Sequence, residues 1–227
     1  MFNLLLCLII CYFQISGDGA PLEVGFVECI VECFTYGVYI PALLTPFFNS
    51  YLDVIGDGHC GFRCISTAIR GSEDSYLTMR NFLLREIADP IYRILYGYEY
   101  DAAIARIKWT LHRPCPFAHW MHGLDLFGFA TINNWAICVV STNTSTTGRV
   151  NWGGSCTYLP LKAVAGVEAP CGVMWILHTG VHWLRIRLVG DWPMPPIHCL
   201  WATSREESVV GWDDLYGRKI AVWLAFF

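Results

Sequence analysis

Apolar residues fall in blocks of changing period along this chain, and the changes mark its elements. Residues 2–15 are almost unbroken apolar sequence, with Asn3 and Gln14 the only strongly polar side chains. From 20 to 50, short apolar groups alternate with Pro21, Pro41 and Pro46, a lead-in without a regular period. Residues 51–55 read as a short extended entry that ends at Gly56-Asp57-Gly58. From Cys60 the period becomes helical: Phe62, Ile65 and Ile69 recur at i, i+3 and i+7 beside Ala68, and Gly71 stops the helix. Asp74 or Ser75 caps a second helix that carries Leu77, Leu83, Leu84 and Ile87 and ends at Asp89-Pro90. A third helix is expected over 101–109. Past Trp120 the texture changes. Residues 135–141 (WAICVVS) read as a buried strand, and 174–177 with 181–189 flank His178-Thr179-Gly180 as a hairpin. Helices first and strands second predict an α+β fold, helices packed against a small central sheet.

This order divides the chain into an apolar leader (1–19), the lead-in (20–50), a central domain (51–190) and a Trp- and Pro-rich extension (191–227). The extension is expected to wrap the domain or link onward. Its last stretch, 212–227, mixes aromatics with Asp213, Asp214, Arg218 and Lys219 and reads as an amphipathic packing segment.

Composition narrows the function classes. The chain is 55% hydrophobic and only 15% charged, which excludes a disordered charged tail. A net charge of −4 leaves no electrostatic footprint for a phosphate backbone, so no nucleic-acid partner is expected. The eleven cysteines include no CxxC pair. Cys29 with Cys33, and Cys60 with Cys64, are four apart, but no second pair at zinc spacing accompanies them, so neither a metal nor another cofactor is expected. Most of the thiols read as small buried hydrophobes in a reducing compartment, cytoplasmic or nuclear. The leader leaves an alternative. Residues 2–15 are too short for a comfortable membrane span but match a signal-peptide core, with Ser16-Gly17 near a cleavage position and no Lys or Arg ahead of it. A secretory leader, a weak anchor and an extension outside the fold all stay open, and membrane contact is expected only through these residues. The sequon Asn143-Thr144-Ser145 falls in a polar stretch that reads as an exposed loop.

The candidate chemistry sits in Gly56-Asp57-Gly58-His59-Cys60-Gly61-Phe62-Arg63. Two glycines with an aspartate make a tight turn, and Cys60 then begins a helix whose positive end favours a thiolate. Amides of the same turn, from Gly58 through His59 to Cys60, can hold an oxyanion. A cysteine nucleophile needs a histidine as base and later as general acid, near in space but not in sequence. His182 suits that role. It leads the strand His182-Trp183-Leu184-Arg185-Ile186-Arg187-Leu188, in which His182, Leu184, Ile186 and Leu188 share one face at the rim of a core. His178 is its competitor. His59 itself is expected to be exposed, and Arg63 to pair with a local carboxylate. Asp57 serves the turn or the chemistry. Trp183 is core or, as the reading adopted here, a wall of the substrate groove.

The motif resembles the nucleophile motif of the ovarian-tumour (OTU) cysteine proteases, in which Asp-Gly-x-Cys is followed by an aromatic residue and Arg. The helix with Leu77-Thr78-Met79-Arg80, Trp120 followed by 126–140, and the pair His182-Trp183 resemble later parts of that family in order and spacing. The likeness covers about residues 52–189. The glycine-rich motif and the Trp/Pro-rich tail also resemble OTU domains carried by eukaryotic mobile elements. The resemblance implies a papain-like α+β fold and thiol isopeptidase (deubiquitinase) activity on ubiquitin or a ubiquitin-like modifier. Cys60 would be the nucleophile, His182 the base and Asp57 the motif's aspartate. One departure stands out. Many members carry Asp or Asn two residues after the histidine, where this chain has Leu184. The third partner is therefore open between Asp57, a residue elsewhere such as Asp53, and none. The alternatives to an active enzyme are a silent OTU-like interaction module, a mobile-element remnant, or a secreted or membrane-associated protein whose Cys–His pair is incidental.

Overall fold

The computed structural model describes residues 40, 41, 43–110, 114–141, 143–144, 150–151 and 154–226. The leader, Cys29, Cys33 and most of the lead-in lie outside the described residues. The elements below belong to the unit spanning residues 41–227.

The first strand, β1 (Phe48–Leu52), begins inside the expected lead-in and precedes the glycine turn. Helix α1 (Cys60–Arg70) follows the apolar period predicted for it. Its turns bury Phe62, Cys64 and Ile65, and each large apolar side chain removed from water contributes about 1.5–3 kcal/mol. Gly71 ends it at φ +73°, with its amide on the Thr67 carbonyl at 3.2 Å, a left-handed cap that glycine adopts without steric cost. Ser75 stands at the N-cap of the next helix, as expected, though its side chain makes no capping bond; Ser72 caps the short 3-10 turn ahead of it, its hydroxyl accepting from the Asp74 amide at 3.2 Å. Helix α2 (Tyr76–Glu86) then buries Tyr76, Met79 and Leu83, with Ile87 just past its end. Two short helices, α3 (Ile91–Tyr96) and α4 (Tyr100–Ile107), precede α5 (Asp125–Asn133). Leu126, Phe127, Phe129 and Ala130 of α5 are all fully buried, so this helix has no wet face.

Asn134, at φ 51°, turns the chain from α5 into β2 (Trp135–Ser141), the buried strand expected from its β-branched run. A small pair, β3 (Asn143–Thr144) and β4 (Val150–Asn151), follows, so Asn143 of the sequon lies in a strand rather than a loop, while Ser145 is outside the described residues. The main sheet is completed by β5 (Cys156–Tyr158), β6 (Gly172–His178) and β7 (Trp183–Leu188). Its order is β1-β7-β6-β2-β5, with β2 and β6 parallel and the other neighbours antiparallel. β6 and β7 are the predicted hairpin.

The extension packs onto the domain. Thr157 donates its amide to Pro196 at 2.8 Å and its hydroxyl to Pro195 at 2.7 Å. Trp201 of α6 (Trp201–Ser204) is 1% exposed, with its indole N–H on the Pro160 carbonyl at 2.8 Å. Met194 and Trp223, the latter in α7 (Gly217–Phe226), are also buried. Among the described residues no helix is long and apolar enough to cross a membrane.

Candidate active site

The pairing of β1 with β7 assembles the first half of the site. Leu52 is opposite Arg185, so the residue leaving β1 and the residue entering β7 meet at the same end of the sheet. These residues are Asp53 and His182. Asp53 Oδ1 lies 2.7 Å from His182 Nε2, although the two are 129 positions apart in sequence. Both side chains are about a quarter exposed, at 29% and 23%, so the pair is reachable yet held. With Nε2 on Asp53, the opposite ring nitrogen, Nδ1, is left for Cys60, the group that acts most strongly on the imidazole. Gly56 closes over that side of the ring, where an added Cβ would stand 3.8 Å from Nδ1. Cys60 is the largest influence on His182. Burial opposes it and Asp53 adds to it, and the imidazole is raised to about 9. At neutral pH His182 is thus an imidazolium held beside the Asp53 carboxylate.

The loop supplies the second half. Cys60 is the first residue of α1 and is only 3% exposed. Asp57 folds back on the loop it belongs to. Its Oδ1 accepts from the His59 amide at 3.0 Å and from Arg63 Nε at 3.1 Å, and its Oδ2 accepts from Arg63 Nη2 at 2.8 Å. Burial alone would raise the Asp57 carboxyl, but the hydrogen bonds from Arg63 and the His59 amide outweigh it and hold the group below its ordinary value. Arg63 is itself fully buried, lies 3.9 Å over the Tyr76 ring and reaches the Glu73 carbonyl at 3.3 Å. Glu73 in turn accepts from the Ile55 amide at 2.9 Å, so both ends of the glycine turn are tied to one arginine. Gly58, at φ +82°, presses against the segment 115–120, and an added Cβ would come within 2.4 Å of the Cys115 carbonyl oxygen. The Asp57 carbonyl accepts from the Cys115 amide at 2.8 Å on the same side.

Three expectations change. Asp57 is not the carboxylate on the imidazole. It is bound to Arg63 and the His59 amide, and Asp53 is the one of the open alternatives that touches His182. His59 is fully buried rather than exposed. Its ring packs 4.6 Å from Tyr76, and its Nδ1 accepts from Arg80 Nη2 at 3.1 Å, since an arginine only donates. Its amide is directed to Asp57, so of the three turn amides expected at an oxyanion, those of Gly58 and Cys60 flank one that is already engaged. Trp183 is 6% exposed, its ring tilted against His178 at 4.2 Å, a core position rather than an open wall.

Other side chains set the surroundings. Arg80, on α2, ties His59 to the far side of the cleft by donating to the His119 carbonyl at 2.8 Å and the Arg106 carbonyl at 3.1 Å. Arg63 pairs with a local carboxylate, as the sequence suggests. The histidine that competes with His182, His178, has its imidazole lowered by burial first and then by His182. Cys64, one turn after Cys60, is completely buried, and burial raises its thiol well above the ordinary range. Leu184, where an acid or amide was expected, is 1% exposed and opposite Leu177 in the sheet. Among the described residues no cluster of His, Cys, Asp and Glu is placed to hold a metal, and the seven described cysteines are free.

No family model and no curated protein matches the chain. Among solved structures it is similar to the viral OTU domain protease from Dera Ghazi Khan virus, at 15% sequence identity over 65% of this chain and 85% of that one, TM-score 0.45. It is similar to the viral OTU domain protease from Farallon virus at 17% identity, over 65% of this chain and 88% of that one, TM-score 0.44. It is also similar to the Hazara virus OTU bound to ubiquitin at 16% identity, over 65% of this chain and 85% of that one, TM-score 0.44. All three are OTU domains, the family that the motif from Asp57 to Arg63 resembles.

Proposed function

We propose that this chain is an OTU-like thiol isopeptidase that removes ubiquitin or a ubiquitin-like modifier from lysine. The observation that carries the reading is the Asp53 carboxylate 2.7 Å from the His182 imidazole, with Cys60 at the start of a helix and the strongest influence on that imidazole. The modifier as substrate class comes from the motif resemblance.

The Cys60 thiolate attacks the carbonyl carbon of the modifier's last residue. The C–S bond forms as the carbonyl π pair moves onto oxygen, where the amides of Gly58 and Cys60 face the new charge. The oxyanion collapses, the C–N bond breaks, and the His182 imidazolium gives its proton to the departing lysine amine. Neutral His182 then takes a proton from water, whose oxygen displaces sulfur from the thioester. The products are the modifier carboxylate, a free lysine and the starting ion pair. Asp53 keeps the ring oriented and stabilises its charged form, and no metal or organic cofactor enters any step. Leu184, the residue that favours a silent module, loses its weight in this reading because the carboxylate is supplied from the neighbouring strand.

The test is labelling of the full chain by ubiquitin bearing a cysteine-reactive group at its C-terminus. A covalent adduct is expected that disappears in Cys60→Ala and falls sharply in His182→Ala. A folded protein that gives no adduct with this probe or with probes on other ubiquitin-like modifiers would overturn the proposal.

A further inference from the structure

Arg80 is the buried charge that the proposed chemistry leaves unused. Its side chain on α2 is fully buried, like that of Arg63 on α1, and Arg106 on α4 is 5% exposed. Arg63 pairs with Asp57 and Glu73, and Arg106 pairs with Asp125. Among the described residues no carboxylate lies within ion-pair distance of Arg80.

The groups around Arg80 are neutral. It donates to the His119 carbonyl at 2.8 Å and to the Arg106 carbonyl at 3.1 Å. His59 Nδ1, 3.1 Å from Nη2, accepts only from an uncharged ring, because both nitrogens of an imidazolium donate. Cys115 Sγ lies 3.6 Å from the same Nη2, and burial holds that thiol above its ordinary range. The guanidinium also lies 4.0 Å over the Phe62 ring. Burial is the largest influence on Arg80 and opposes its charge, yet an arginine stays protonated at neutral pH. These partners fix where the charge sits. His59 precedes Cys60 and Phe62 follows it by two, so the guanidinium lies against the first turn of the helix that Cys60 begins. Cys115 and His119 belong to the segment that presses on Gly58 from the other side.

A buried cation without a counterion is expensive, and a neutral donor would serve carbonyl oxygens without that cost. The charge itself therefore asks for a use. A preorganised cation in a dry site attracts negative charge that exists for only part of a reaction cycle. The oxyanion that forms against the Gly58 and Cys60 amides is such a charge. We propose that Arg80 is a positioning residue for the nucleophile turn: through His59 it holds those two amides in place, and its unneutralised charge stabilises the oxyanion that they face. No bond forms or breaks at Arg80, which stays protonated throughout. The inference rests on the isopeptidase reading.

The full chain and its variants are assayed on ubiquitin, and on ubiquitin-like modifiers, that carry a fluorogenic amide at the C-terminus, with the melting temperature of each variant measured alongside. Arg80→Gln keeps a donor and loses the charge. It is expected to lower kcat about thirtyfold with KM within about twofold. Arg80→Lys keeps the charge but presents a single ammonium to the same acceptors, and it should recover most of that loss. Cys115→Asp leaves Arg80 in place and sets a carboxylate where the sulfur stands 3.6 Å from Nη2. That permanent counterion should lower kcat about tenfold without lowering the melting temperature, a readout of the charge that does not depend on the Arg80 variants folding. Equal losses of kcat in Arg80→Gln and Arg80→Lys, undiminished kcat in Cys115→Asp, or losses that follow the melting temperature in all three would reduce Arg80 to a structural tie and overturn the proposal, while cleavage by the unaltered chain keeps the isopeptidase reading. An unaltered chain that cleaves none of these substrates overturns that reading and this inference with it.

Discussion

Asp53 and Asp57 stand four positions apart on one short connection, and each carboxylate holds a cation, yet the two pairs are built differently. Asp57 is 9% exposed and takes three hydrogen bonds, two from a fully buried arginine and one from the backbone of its own turn. Asp53 takes one, from an imidazole that is itself partly open to solvent. A buried pair with several contacts is a fastening, because removing either partner strands the other in a medium that solvates charge poorly. A half-open single contact fastens little. It can, however, bias the charge and direction of a ring that must gain and lose a proton. The two sites thus divide the labour that a motif reading assigns to one aspartate.

The division can be attacked at its strongest point first. Asp57→Ala should destabilise the protein by about 3–5 kcal/mol, because Arg63 would be left buried without its carboxylate. In a chain of this size that lowers the melting temperature by roughly 10 °C, which calorimetry reads directly. Asp53→Asn should leave the melting temperature nearly unchanged, within about 0.5 kcal/mol, while kcat/KM on a modifier–lysine substrate falls about a hundredfold. Equal losses of stability in the two variants would dissolve the distinction.

A pH profile sharpens it further. His182 is raised from 6.5 to about 9 in the folded protein, so its contribution to stability is fully present below 6.5 and is lost as the pH rises through 9. Activity that needs the imidazolium should hold through neutral pH and decline across the same upper range. In Asp53→Asn that decline should move to lower pH, and in Arg63→Lys, where the imidazole contacts are untouched, it should stay in place. The smallest effect belongs to the neighbouring thiol. Cys64→Ala should cost about 1 kcal/mol of stability and leave warhead labelling intact, since Cys64 is sealed in the core.

What the residue order reveals of this arrangement follows the distance over which each contact acts. The segment from Gly56 to Arg63 is contiguous, and its turn, helix start and local Asp–Arg pairing are local physics, so they are readable from the letters. His182 is recognisable because a period-two strand places it at a rim. Asp53 requires the register of β1 against β7, which brings together residues 129 apart and leaves no local trace. The burial of His59 is hidden from the sequence for the same reason. A histidine in a glycine turn reads as exposed until Arg80, arriving from another helix, is known to cover it. The order of the strands, with β2 beside β6 and β1 beside β7, is likewise a matter of non-local pairing.

The joining of β1 to β7 also sets when the protein can become reactive. Cys60 lies in the first third of the chain, while β7, which His182 precedes, is among the last elements of the domain to be synthesised. Contacts between residues so far apart form late, after most loop closure has been achieved. A nascent chain emerging from a ribosome therefore exposes Cys60 for many seconds without His182. During that interval the sulfur has the helix end but no imidazolium beside it. The assembled Cys60–His182–Asp53 arrangement belongs to the finished domain alone, so under the proposed function a partly made chain cannot cleave.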